Sequence, residues 1–468
     1  MNAINALPVE QLRAYIRQLK PEMRDQLLAE FERAALRGSD APGATFVLQE
    51  LRKEVRGINI KLQRVGTPQR LFYTPLEPFL VDGDAEDESV VHIPRACLDP
   101  IWQWIVRDVM PAESEKYSEE ISRVLIDNDT NAADQLVRAF QDRAAASIEE
   151  ALAQANESER TRRRMLAQLG PANGFEHAQR VAHVIKGRDT LAFLATKLPA
   201  YIKDLTEPQL SSIKTLIDST IREPRLFPYA LLLLMGRLGQ PWQLIRLAVK
   251  AAESDVVGRI GQTSYGIALP ILVAEIEHKI ADLAADLRRG LVTGSGILLK
   301  EIHDGVRTLR SEVDLSFDPT WGRRLAALRS EVSDVITGEI DTLPGRVRRM
   351  LRPRQANEGG ASLDLSEVVE VQALLGFLET CRQYASELAV NEVTLRIHSE
   401  VQNYLNTRTP MLIEAVRAAS AAEQKFLAMQ IDAAARFAGK VFNPDYASLL
   451  SKAAEIASQA PARVAAQS

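Results

Sequence analysis

The chain has 468 residues, 46% hydrophobic and 25% charged, with a formal net charge of −5. That length exceeds one ordinary core and predicts two to four domains or one extended helical array. The composition excludes general disorder, and the mild acidity supplies no global field to draw in nucleic acid or an anionic membrane.

Cys97 and Cys381 are the only cysteines. Two are too few for a disulfide framework or a cysteine-rich zinc site, and their apolar contexts read as reduced, buried small hydrophobes. Residues 1–12 lack the basic-then-apolar order of a secretory leader. The two most apolar runs, 226–238 and 267–276, fall short of the roughly 20 residues a bilayer span needs. The expectation is a cytoplasmic chain without a transmembrane helix.

Ala, Leu, Arg, Glu and Gln, strong helix formers, dominate the sequence. Pro8 suits the first turn of a helix with Leu12, Ile16 and Leu19 on one face. Pro21 opens a second helix that buries Leu27, Leu28, Phe31 and Leu36. A third carries Val47, Leu51, Val55, Ile58 and Leu62 at helical spacing. Residues 66–98 differ. Phe72, Tyr73, Phe79 and Leu80 are interleaved with Pro75 and Pro78. A residue before proline avoids the helical region, so 72–81 is expected to be extended and pinned across helices. A short strand pair, 71–81 with 90–93, is the alternative. Asp99-Pro100 predicts a helix with Asp99 as N-cap and Ile101, Trp102, Ile105 and Val109 on its buried face.

From 118 to about 259 the chain reads as short helices. They are punctuated at 127–129, Gly170-Pro171, Gly187, Pro199, 206–208, Pro224 and 239–241. No fixed repeat period emerges, so the array is α-solenoid-like or irregular. From 268 the rhythm lengthens. Ile276, Ile280, Leu283 and Leu287 form one seam, and after a loop at 293–296, Ile302, Val306, Leu309 and Val313 form another. Asp318-Pro319 starts a third, with Leu325, Leu328, Val332 and Val335. These predict packed antiparallel helices. Residues 352–363 read as a linker. Beyond it a long helix is expected with Val371, Leu374, Leu378, Cys381, Ala385 and Leu388 as its seam; Thr409-Pro410 is expected to end that helix and start another, and Asn443-Pro444 to start the last.

Catalytic signatures are sparse. The glycines at 294 and 296 lack a phosphate-loop lysine and a preceding strand. The acidic run 82–88 has Asp87 and Ile93 where a calcium loop needs Gly and Glu. Glu275 and His278 form a single Glu-x-x-His, where a di-iron bundle needs two. His303-Asp304 is the dipeptide a metal-dependent hydrolase would use, with His278, His177 and His183 as further ligands; a metal needs several that converge. Two basic clusters stand out: Arg160, Arg162, Arg163 and Arg164; and Arg346, Arg348, Arg349, Arg352 and Arg354, at a helix C-terminus. Neither is interleaved with aromatics, so single-strand stacking is unsupported. The helices 227–238 and 268–276 are apolar nearly all round, which marks buried centres or interfaces.

The sequence therefore reads as all-α: a multi-helical array followed by long antiparallel helices, with one extended Pro-rich segment near 66–98. It divides into 1–117, 118–267, 268–352, a linker at 353–363, and 364–468. The expected role is a helical scaffold or adaptor for a protein partner or a second copy, docking along 297–351 and 364–405. No catalysis, cofactor or metal is expected, and nucleic acid is disfavoured. The alternatives are anion or peripheral membrane-surface binding through Arg346, Arg348, Arg349, Arg352 and Arg354, and a metal-dependent hydrolase on His303 and Asp304.

Overall fold

A computed structural model describes scattered positions from 12 to 31, then 44–55, 67–81, 92–127, 129–170, 173–315, 318–353, 363–419 and 421–459. Leu36, Ile58, Leu62, the acidic run 82–88 and Arg354 lie outside the described residues. The protein is all-α, as its composition predicts. Contacts group the residues into two compact units. One holds Leu12–Glu275 and Thr308–Asp318; the other holds Ile276–Arg307 and Pro319–Ser468. No described helix is long and apolar enough to cross a membrane.

In the first unit, a small cluster packs Ile16, Leu28, Leu48 and Leu51 against Leu12, Leu27, Phe31 and Val47. Val47, Leu48 and Leu51 come from α1 (Ala44–Val55). The Pro-aromatic segment is pinned as expected but is not extended. It forms α2 (Pro68–Tyr73), a 3-10 helix (Thr74–Phe79), and a two-residue strand β1 (Leu80–Val81) parallel to β2 (Ile93–Pro94). Pro68 and Pro75 sit in first turns, where the missing N–H leaves nothing unsatisfied. Burial of Phe72, Leu76 and Phe79 at 0–1% exposure, about 1.5–3 kcal/mol each, overrides the pre-proline preference.

A second departure follows at α3 (Leu98–Trp104). It begins before Asp99, led in by the 3-10 turn Arg95–Cys97, so Asp99 is not the N-cap. Its carboxylate accepts from Gln69 Nε2 at 2.5 Å instead. A π-type turn, Ile105–Val109, follows. Next come α4 (Pro111–Ile126), α5 (Thr130–Glu157, capped by Asp129), α6 (Glu159–Leu169, capped by Ser158) and α7 (Gly174–Lys186). α8 (Arg188–Lys197) and α9 (Glu207–Thr220) meet at a joint closed by a Thr206–Gln209 capping box. A 3-10 turn (Pro224–Leu226) leads into α10 (Phe227–Met235), which is buried nearly all round, as its composition predicts. α11 (Leu244–Ala252) and α12 (Val257–Ile260) precede α13 (Ala268–Arg288).

The seams place the long helices. Ile276, Ile280, Leu283 and Leu287 on α13 are buried, as are Ile302, Val306 and Leu309 on α14 (Val292–Glu312) and Val313 just past its end. Residues 293–296 belong to α14 rather than to a loop. Buried Leu291, Val292, Leu298 and Leu299 flank them, and Ser295 Oγ bonds Leu291 O at 3.0 Å. That burial outweighs the helix cost of two glycines, about 1 kcal/mol each. On α15 (Pro319–Ile340) the seam runs Leu325, Leu328, Val332, Ile336; Val335 turns partly outward.

α16 (Leu343–Leu351), α17 (Leu365–Gln383), α18 (Ala385–Leu388), α19 (Asn391–Ala418), α20 (Ala421–Val441) and α21 (Pro444–Gln459) complete the second unit. The one long helix expected between the linker and Thr409 is three, α17, α18 and α19, interrupted at Tyr384 and at the left-handed Ala389, and Pro410 does not break α19. Ile397, Val401, Leu405, Thr409, Leu412 and Val416 stay buried straight through it. Their summed burial exceeds the roughly 3 kcal/mol of an interior proline.

Candidate functional site

The basic cluster at 346–354 is the strongest site candidate in the sequence, and four of its five residues are described. Three lie on α16, which packs against α17, α19 and α20. Only Arg352 falls beyond the helix, at its C-cap.

Three of the four cations meet carboxylates of the same unit. Arg346 reaches Glu370 at 2.5 Å and Glu367 at 3.9 Å. Arg349 also pairs with Glu367, so that one carboxylate serves two guanidinium groups. Arg348 reaches Glu400 on α19 at 3.2 Å. Glu400 in turn holds Arg396 at 3.5 Å, and Arg396 holds Asp341 at 2.6 Å. The result is two networks of alternating charge, one joining α16 to α17 and one running from α16 through α19 to Asp341. Arg346 also partly offsets burial at Glu339, whose carboxyl is pushed up by desolvation.

Beneath these pairs lies an arrangement that the basic run does not announce. The last carbonyls of a helix have no intrahelical partner. On α16 they are taken by side chains of α19 and α20. Gln430 Nε2 donates to Met350 O at 2.8 Å and to Arg352 O at 2.9 Å. Arg408 Nε donates to Leu351 O at 2.5 Å, and Tyr404 Oη to Arg348 O at 3.4 Å. Gln430 is 1% exposed. Arg408 brings a cation to the negative end of the helix dipole. Sequence reasoning missed Gln430, Arg408 and Tyr404 because they stand 56–80 residues from their partners. No local spacing encodes such contacts.

The second basic cluster lies on α6. Arg163 pairs with Glu159 at 2.9 Å and Arg164 lies 3.8 Å from Asp108. Arg162 stands over the Phe175 ring at 5.1 Å. Arg164 lines an open polar groove of about 420 Å³ with Asp108, Glu150, Gln154 and Gln168 over Trp104 and Met165. Asp108, on the π turn, accepts from Gln168 Nε2 at 2.9 Å.

The histidines do not assemble. Among the described residues no group of three or more His, Cys, Asp or Glu is arranged to hold a metal. His303 Nδ1 lies 3.0 Å from Asp304, whose other oxygen is 2.5 Å from Lys300. Burial raises the Asp304 carboxyl, but the Lys300 and His303 hydrogen bonds and charges outweigh it and hold it below the usual range. The His303 ring packs on Tyr384 at 4.7 Å. His177 is fully buried in α7. Both cysteines are free and buried; burial pushes Cys97 up to about 12 and raises Cys381 as well, which keeps both as thiols at neutral pH.

Comparison with family models, with curated proteins and with solved structures finds no match.

Proposed function

We propose that this chain is a helical scaffold that binds a protein partner or a second copy of itself through its second unit. One observation carries the reading. Large apolar side chains stand exposed on three long helices of that unit: Leu365 and Val369 on α17, Leu395 and Met411 on α19, and Leu449 and Ile456 on α21. Their cores are meanwhile fully packed by other residues of the same helices. Apolar groups in excess of those a core uses are what an interaction face requires.

The anion-binding alternative loses support from the same region. Arg346, Arg348 and Arg349 already face Glu367, Glu370 and Glu400. An incoming phosphate would have to displace carboxylates that the fold holds in place. The hydrolase alternative rests on His303 and Asp304, which sit with Lys300 and Tyr384 rather than with further metal ligands.

Light-scattering mass in solution, with affinity capture from the native host, tests the proposal. A dimeric mass, or a partner whose capture is lost in the Leu365→Glu/Val369→Glu double variant, is the expected result. A monomeric mass with no partner overturns it. Salt-sensitive binding to anionic vesicles, abolished by Arg346→Glu/Arg349→Glu, would replace it with the anion reading.

A further inference from the structure

Arg225 Nη1 lies 3.1 Å from His183 Nε2. A guanidinium has only donors and stays charged at every accessible pH. The imidazole nitrogen it meets must therefore accept, with its lone pair free of a proton. His183 sits in the last turn of α7, and Arg225 in the 3-10 turn Pro224–Leu226 that leads into α10.

We infer that this contact is an acid-released pin, which holds the turn Pro224–Leu226 against α7 while His183 is neutral and lets go when it takes a proton. Protonation puts an N–H where the Arg225 hydrogen bond ends and sets two cations 3.1 Å apart. Three other charges surround the ring. Glu149 comes from α5, Lys186 from α7 itself, and Glu223 from the residue before the turn. Lys186 is paired with Glu149 at 2.8 Å, which blunts both. Burial first, then Arg225, disfavours the charged imidazole; Glu149 and Glu223 oppose them, and the net direction is downward.

The sign is fixed by linkage. An unfolded chain takes this proton near pH ~6.5, whereas the pinned site takes it lower. The stabilisation is present above that range and is lost as pH falls through it. The opening is local, because the same turn is seated by a second contact. A Cβ at Gly187 would fall 2.3 Å from a Leu226 methyl, so Leu226 occupies the space a side chain would take. Acid loosens that seat without dismantling the aromatic core.

Two measurements test the pin in the full chain. With labelled histidine, only six ring signals need resolving, and His183 should titrate below the ordinary imidazole value. Amide hydrogen exchange, corrected for intrinsic rate, should accelerate at 183–191 and 222–231 as pH falls from 7 to 5. The ceiling for one proton is about tenfold per pH unit. His183→Gln supplies a carbonyl oxygen for Arg225 that does not titrate, and should remove the acceleration. A His183 that titrates at or above ~6.5, or an acid response undiminished in the variant, overturns the inference. Should His183→Gln fail to fold, the wild-type titration alone decides it.

Discussion

The two units solve one problem, fixing helices that have little propensity to stay put, by different means. In the first, aromatic rings and side-chain captures of backbone hold a Pro-rich segment. Phe72 lies 5.4 Å from Trp102 and 5.5 Å from Phe140, and Tyr117 stacks on Phe140 at 4.2 Å. Gln141, Tyr117 and Tyr73 bond the carbonyls of Phe72, Pro68 and Leu98. In the second, aliphatic seams do the packing, and side chains capture carbonyls at helix ends: Gln430, Arg408 and Tyr404 at α16, Arg329 at α18 and His398 at the end of α20. The contrast teaches that irregular backbone needs dense aromatic packing, whereas regular helices need only their ends satisfied.

The largest effect is expected at Phe72. It is fully buried against three aromatic rings. Phe72→Ala should cost about 3–5 kcal/mol, read as a lower denaturation midpoint for the first unit. Hydrogen exchange in α17, α19 and α20 should stay as in the wild type. If those helices loosen equally, the two units do not respond separately and the contrast fails.

A smaller effect is expected at Gln430. Gln430→Leu keeps the volume but strips the donor from Met350 O and Arg352 O. Leaving buried carbonyls unpaired costs about 1–3 kcal/mol. The loss should appear as faster exchange across α16 and α20, and Gln430→Ala should add a cavity cost on top. An unchanged midpoint would mean that water serves these carbonyls as well as the amide does.

Much of this fold was legible in the sequence, for a physical reason. Seams such as Val371, Leu374, Leu378 and Cys381 depend on spacing within one helix, and spacing is a local property. The joints at Thr206 and Asp129 were legible because capping chemistry spans three residues. What failed were local rules overridden by distant packing. Pro410 lies inside a helix because a long buried stripe runs past it, and 72–79 is helical because Phe72 and Phe79 find rings far along the chain. The candidate site divides the same way. The arginines of α16 were visible as a run of charge; their carboxylate partners and Gln430 were not, since tertiary folding alone brings them together.

The smallest effect belongs to those arginines, and it separates the two layers of the α16 clamp. Arg349 is 60% exposed and shares Glu367 with Arg346. Exposed pairs contribute about 0–1 kcal/mol and are screened by salt. Arg349→Gln should therefore lower the midpoint of the second unit by at most about 1 kcal/mol, and the difference from wild type should shrink as salt is raised. The Gln430→Leu defect should not shrink, because its partners are neutral carbonyls. If Arg349→Gln instead costs as much as Gln430→Leu at every salt concentration, the ion pairs hold α16 in place and the carbonyl captures are secondary.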